Sequence, residues 1–313
     1  MFYKSIETVI VMLCLIGSGW LLSYKKWMNV ESKKFINKLL INIAIPSLII
    51  TKFFESFPRD VLNASGRFIF IIAFSMSIIL IISNLVLKFI NIDSIRSGSF
   101  ISMCVVSNNM TFGLPICLSL FGNSAIPFIM YYYIANTVIF WTVLSPRIMR
   151  DANVKQNNSF DNIKKIFNPP LITILTCIAL IYLGFTPPTL LLKISKYFSD
   201  LVTPLASILV GRIIFEIDFK SFKIDISIIA IILMRFIISP TIMFIVTSFL
   251  KLPQLAILVF TLQSAMPVMM QINLVSELYG TDSKYVATAI SLTTSLSLFF
   301  IPLYMIIIPL LFK

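Results

Sequence analysis

The chain has 313 residues, of which 58% are hydrophobic and 12% charged, with no histidine and a formal net charge of +12 from 25 Lys and Arg against 13 Asp and Glu. Soluble domains are roughly 45 to 50% apolar, so this composition excludes a soluble globular fold and requires a membrane. Without histidine the commonest general base and metal ligand are missing, which excludes a zinc protease or a His-dependent hydrolase. The basic residues are scattered between apolar runs rather than gathered on one face, which excludes nucleic acid as a partner.

One helical crossing of bilayer hydrocarbon takes about 20 apolar residues. Runs of that kind place crossings at 5–24, 35–54, 67–90, 98–121 and 125–145, then at 169–185, 193–215, 226–250, 253–278 and 285–311. The first run, Ile6 to Leu22, has no basic n-region and no small-residue cleavage site, so it reads as a crossing and not a signal peptide. Cys14, Cys104, Cys117 and Cys177 all lie in apolar runs without metal-ligand spacing, and are expected to be small buried hydrophobes. No cofactor and no metal are expected. The longest hydrophilic break, Arg147 to Lys165, is charged and Asn-rich. It divides the chain into a first five-helix repeat (1–146), a linker (147–165) and a second five-helix repeat (166–313).

Cytoplasmic loops of membrane proteins are enriched in Lys and Arg. With the break after the first crossing placed inside, that side collects 16 of these residues, from Lys25 to Lys284, and the other side 8, from Lys4 to Lys313, with Arg235 inside a crossing. The bias puts both termini outside and the central linker in the cytoplasm of a multi-pass plasma-membrane protein.

An odd number of crossings per half means that related halves insert with opposite orientation. In crossing two, Asn42 precedes Pro46 by four residues, and in crossing seven Asp200 precedes Pro204 by four. Crossing four carries Pro115 and crossing nine Pro267, 69 and 63 residues after those partners. Proline is common in membrane helices, but four prolines in matching places point to an inverted repeat.

Proline removes a backbone donor and leaves carbonyls unpaired where lipid cannot satisfy them. Crossing four reads Ser107-Asn108-Asn109-Met110-Thr111-Phe112-Gly113-Leu114-Pro115, and crossing nine reads Gln263-Ser264-Ala265-Met266-Pro267-Val268-Met269-Met270-Gln271-Ile272-Asn273. Both place amides, hydroxyls and a proline in mid-membrane. Interrupted helices in matching positions of two halves are the best sequence pointer to a transporter's binding site. Their N-terminal ends attract anions and their C-terminal carbonyls attract cations. The plainer reading of these amides is interhelical hydrogen bonding that only holds the bundle together.

These motifs, in this order, resemble the auxin efflux carrier family of secondary transporters, in its bacterial form, within the bile/arsenite/riboflavin transporter superfamily. Asn42 to Pro46 is similar to its second-helix motif, Asn108 to Pro115 to its Asn-x5-Gly-x-Pro crossover, and Asn168-Pro169-Pro170-Leu171-Ile172 to the start of its sixth helix. Thr203-Pro204-Leu205 with Gly211 is similar to its seventh helix, and Gln263 to Pro267 to its ninth. The resemblance implies an all-α membrane protein of ten transmembrane helices, a five-plus-five inverted repeat in which broken helices four and nine cross beside the substrate. It also implies an organic anion as substrate, such as a dicarboxylate, malonate or an indole carboxylate. By carry-over, Asn108, Pro115, Gln263 and Pro267 lead the site, with Asn109, Thr111, Ser264, Gln271, Asn273, Asn42 and Asn136 as further substrate-binding candidates. The chain departs from the family in having Met110-Thr111 where Gly-Phe is frequent, Gln271 where bacterial members often have Asn, and Asp200 for a usual Asn.

Two charges fall inside crossings. Arg235 lies ten residues past Asp225, roughly 15 Å deep at about 1.5 Å per residue, and burying it costs about 2.5 to 3.5 kcal/mol. It pairs either with a substrate carboxylate or, as a fixed structural contact, with Asp200 or a backbone carbonyl. Asp200 is either neutralised by Lys196 at i−4 or serves as an ion-coupling carboxylate for a proton or sodium. Glu7 and Glu277 are expected at the interfaces, and Tyr131, Tyr132, Tyr133 and Trp141 in packing or an aromatic belt.

The expected function is a secondary transporter (permease) moving a small organic anion across the cell membrane by alternating access, not an enzyme. No Walker-type phosphate loop is present, so energy comes from gradients or from the substrate itself. The alternatives are a cation- or bile-acid-type ion-coupled symporter or antiporter of the same fold, an intramembrane enzyme, for which no paired-carboxylate motif exists, and a gated receptor module. The expected partners are the anion, a proton or sodium as candidate coupling ions, and the lipid bilayer, with a homodimer as the assembly considered.

Overall fold

The computed structural model describes residues 2–56, 66–152, 167–216 and 225–310. Most of the central linker, with Lys155, Lys164 and Lys165, lies outside the described residues, as do Arg59, Lys220, Lys223, Lys313 and the side chains of Lys4 and Glu7. Among the described residues the chain is all helix. In order it forms α1 (Phe2–Tyr24), α2 (Val30–Leu39), α3 (Ile45–Ser56), α4 (Arg67–Phe89), α5 (Ser94–Val105), α6 (Leu114–Phe121), α7 (Ile126–Ile139) and α8 (Ser145–Asp151). After the linker come α9 (Pro169–Tyr182), α10 (Thr189–Asp200), α11 (Val202–Phe215), α12 (Ile226–Leu233), α13 (Ser239–Phe249), α14 (Gln254–Ser264), α15 (Gln271–Tyr279) and α16 (Ser283–Leu310).

Among the described residues, six helical stretches are long and apolar enough to cross a membrane: Val30–Phe54, Arg67–Phe89, Asn109–Asp151, Thr189–Phe215, Ile226–Phe249 and Ser283–Tyr304. Shorter apolar helices add Cys14–Tyr24, Pro169–Tyr182 and Gln254–Ser264. The exposed surface carries large apolar side chains such as Phe70, Phe89, Leu183 and Phe249, while Asn136, Arg235 and Gln263 are buried. That inversion of the soluble pattern is what a lipid solvent favours. Cys104, Cys117 and Cys177 are buried as expected, but Cys14 is exposed, on a helix whose Ile10 and Val11 are exposed too. An apolar run in a membrane helix has a lipid face as well as a packed one, and its composition does not separate them.

Helix starts follow local chemistry. The side chains of Asn29, Asn168 and Asp225 cap α2, α9 and α12 by accepting the amides of Ser32, Leu171 and Ile228. Among the described residues, four helical stretches widen into a π turn, at Leu40–Ala44, Asn109–Gly113, Phe140–Leu144 and Met234–Ile238, and each turn is followed two residues later by a proline, Pro46, Pro115, Pro146 or Pro240. A proline cannot donate to the carbonyl one turn back, and the wider turn shifts the register around that gap.

The chain forms two compact units that each draw on both sequence halves. The first comprises 1–68, 110–131 and 167–217, and the second 69–109, 132–166 and 218–313. In the first unit α1 packs closely on α11, and α3 packs on α9 and α10. Gly19 and Gly211 set that close approach: a Cβ on Gly19 would lie within 3.0 Å of the Ile208 carbonyl, and one on Gly211 within 3.0 Å of the Ile16 carbonyl. Lys33 and Arg212 both pair with Glu216 here. In the second unit α5 packs on α8, α13 on α14, and α15 on α16. Asp151 at the end of α8 accepts the Gly98 amide and the Ser97 hydroxyl, placing a carboxylate at the start of α5.

Candidate functional site: two broken helices joined in the second unit

α5 ends at Val105 because Val106 turns to extended backbone (φ −99°, ψ 146°). α14 ends at Ser264, ahead of Pro267, which disfavours helix in the residue before it. The two interruptions are hydrogen-bonded to each other. Ser107 and Val268 form an antiparallel bridge, and the Asn108 amide donates to the Pro267 carbonyl at 2.8 Å.

Side chains from later helices pin both breaks. The Ser107 amide donates to Asn136 Oδ1 at 3.1 Å, while Asn136 Nδ2 donates to the Ser107 carbonyl at 3.2 Å and to Met269 Sδ at 3.8 Å. The Val268 amide donates to Thr293 Oγ1 at 3.3 Å. Ser107 Oγ bonds the Tyr132 hydroxyl at 3.2 Å.

Arg235 is wholly buried inside the π turn ahead of Pro240. Its Nε donates to the Met266 carbonyl at 3.2 Å, and its Nη2 to the carbonyls of Ser264 (2.6 Å) and Met266 (2.8 Å). Its Nη1 donates to the carbonyls of Cys104 (3.2 Å) and Val105 (3.3 Å). A guanidinium has five N–H donors, and these five bonds carry them to backbone, with the Tyr132 hydroxyl also against the guanidinium. Ser239 Oγ adds a bond to the Cys104 carbonyl at 3.3 Å. No carboxylate pairs with Arg235 among the described residues.

The structure therefore brings Asn108, Asn136, Arg235, Ser264 and Pro267 together through backbone and side-chain hydrogen bonds, with Asn109 and Gln263 adjacent and buried. Asn109 Nδ2 and the hydroxyls of Thr137 and Thr261 are buried without a hydrogen-bond partner among the described residues. Gln271 is exposed at the start of α15, and Asn273 Nδ2 is given to Glu277 at 2.7 Å. In the first unit Pro115 is buried, Thr111 is half-buried, and Asn42 is exposed with its Nδ2 on the Lys38 carbonyl. Asp200 is exposed at the end of α10 and has no ion pair among the described residues. Tyr131, Tyr132, Tyr133 and Trp141 are buried.

Sequence reasoning passed over Thr293 and the carbonyls of Cys104, Val105 and Met266. A lone threonine in an apolar helix carries no signal, and a carbonyl carries none at all.

A profile of the family described as "Membrane transport protein" matches residues 4–163 and 152–305. An uncharacterized transporter of Methanocaldococcus jannaschii is 26% identical over 306 residues, covering 95% of this chain and 97% of that protein. An uncharacterized transporter of Methanothermobacter thermautotrophicus is 23% identical over 310 residues, covering 98% and 99%. The chain belongs to the membrane transport protein family, of the auxin efflux carrier type that its motifs resemble, and is a transporter.

Proposed function

We propose that the protein is a secondary permease that moves a small organic anion, such as a mono- or dicarboxylate, by alternating access beside the two broken helices. In this reading the chain makes ten crossings as a five-plus-five inverted repeat, with both termini outside and the central linker in the cytoplasm. The matched bonding of the breaks supports the repeat: each has its amide held by a side chain from the helix that follows, Asn136 for Ser107, 29 residues on, and Thr293 for Val268, 25 residues on.

The observation that carries the anion reading is Asn109 Nδ2, a buried donor without a partner among the described residues, next to the Asn108–Pro267 contact. A buried donor left open costs about 1 to 3 kcal/mol, which a ligand oxygen would recover. Asn108, Gln263 and Ser264 complete the proposed binding set, and Arg235, whose donors end on backbone carbonyls, holds the two breaks beside it. Asp200, exposed and unpaired among the described residues, is the proposed coupling carboxylate.

The test is uptake of labelled mono- and dicarboxylates into proteoliposomes. Saturable uptake by the native protein is expected, along with its loss in Asn109→Leu at unchanged melting temperature, because the removed Nδ2 has no partner to lose among the described residues. Saturable flux of a cation with none of any carboxylate would overturn the anion reading.

A further inference from the structure

Arg235 presents an electrostatic problem and its own solution. A guanidinium with no exposed surface and, among the described residues, no carboxylate partner is costly in a membrane interior. Its five donors all end on carbonyls at the C-terminal ends of two helices, Cys104 and Val105 from α5, Ser264 and Met266 from the end of α14 and just beyond it. Each helix C-terminus carries about half a negative elementary charge, so two of them facing one cation offset about one positive charge. In transporters with interrupted helices, such half-helix carbonyl ends are where an inorganic cation is held.

We propose that these four carbonyls form a cation cage and that Arg235 is its permanent, tethered occupant. Proline-linked geometry supports this placement. Pro240 forces the π turn at Met234–Ile238 that contains Arg235, so the guanidinium is delivered by a defect in its own helix. The inference deepens the transporter reading and rests on it for one consequence: a coupling ion, if the transporter uses one, is held elsewhere, because the carbonyl ends already have their charge. Removing the side chain turns the cage into a vacant site for a small monovalent cation of guanidinium type.

The test is the melting temperature of the purified full-length protein and its Arg235→Ala variant, with methylguanidinium, sodium or choline chloride added at matched ionic strength. The expected result is a clear loss of melting temperature in Arg235→Ala, of which methylguanidinium saturably restores about half or more, while choline restores none and the native protein does not respond. Equal recovery in all three salts, or none in any, overturns the proposal. Should Arg235→Ala not fold, Arg235→Lys and Arg235→Met decide: a higher melting temperature for the charged Lys variant supports the cage, and an equal or higher one for Met overturns it. Melting needs no substrate, so a failure to find carboxylate flux leaves this outcome readable by itself, and a failed cage leaves the Asn109 test standing.

Discussion

Asn136 holds the peptide groups of Ser107 from both sides, its Oδ1 accepting the Ser107 amide at 3.1 Å and its Nδ2 donating to the Ser107 carbonyl at 3.2 Å. The side chain thus replaces, at the break, the partners that a continuous helix would have supplied. Asn136→Leu leaves the buried Ser107 amide open, while the Ser107 carbonyl keeps the Asn109 amide at 2.9 Å, a loss of about 1 to 3 kcal/mol. Chemical denaturation in detergent should show that loss, and Asn136→Gln should recover little of it because one more methylene displaces the amide.

The close packing of α1 on α11 depends on Gly19 and Gly211, where a Cβ would meet backbone of the other helix. Because backbone cannot rotate aside, Gly211→Ala should destabilise by about 1 to 3 kcal/mol or more. Gly17, two residues from Gly19 in the same helix, has nothing within 4 Å of an added Cβ. Gly17→Ala should be neutral or stabilising by up to about 1 kcal/mol. Melting temperatures of the two variants side by side check the contrast, and equal losses would refute it.

Tyr304 donates its hydroxyl to the Phe236 carbonyl, four residues before Pro240. That is the carbonyl a helix would bond through the amide that proline lacks. Tyr304→Phe should cost about 1 to 3 kcal/mol. Pro240→Ala restores an N–H, so in that background Tyr304→Phe should cost less, and a double-mutant cycle measures the difference. Strict additivity would show that the two residues do not serve the same carbonyl.

Between α15 and α16, Asp282 accepts the Tyr285 amide at 3.0 Å and pairs with Arg96 at 2.7 Å, while Arg96 also reaches Asp225 at 3.6 Å and lies over the Tyr285 ring. Burial pushes the Asp282 carboxyl up, but the Tyr285 amide and the Arg96 guanidinium together outweigh it and hold it below its ordinary value of 3.8. A carboxylate depressed on folding contributes stability that is full above its unfolded value and is lost as pH falls through the folded one. The native protein should therefore lose melting temperature as pH drops through and below about 4, where free carboxyls titrate. Asp282→Asn should melt lower at neutral pH and show a shallower acid slope, read from melting curves between neutral and acid pH.

Much of the candidate site was legible in the residues alone. Asn108, Asn109, Gln263 and Pro267 stand out because amides and prolines in mid-membrane break the local rule for a spanning helix, and the helices do stop beside them. Arg235 stands out for the same reason. Its particular partner was not legible: the sequence favours a fixed contact over a substrate carboxylate but leaves open whether that contact is Asp200 or a backbone carbonyl, and the guanidinium ends on carbonyls about 130 residues away, at Cys104 and Val105.

By itself the sequence determined that this is a multi-pass helical membrane protein and where its helices are interrupted, because hydrophobic run length and proline act locally on the backbone. Only the tertiary structure decided which polar groups satisfy one another, that Thr293 answers Val268 and Asn136 answers Ser107, and that Arg235 faces two helix ends. Hydrogen bonds to backbone carry no side-chain signature at the accepting end, so their pairing emerges only when distant segments are packed together.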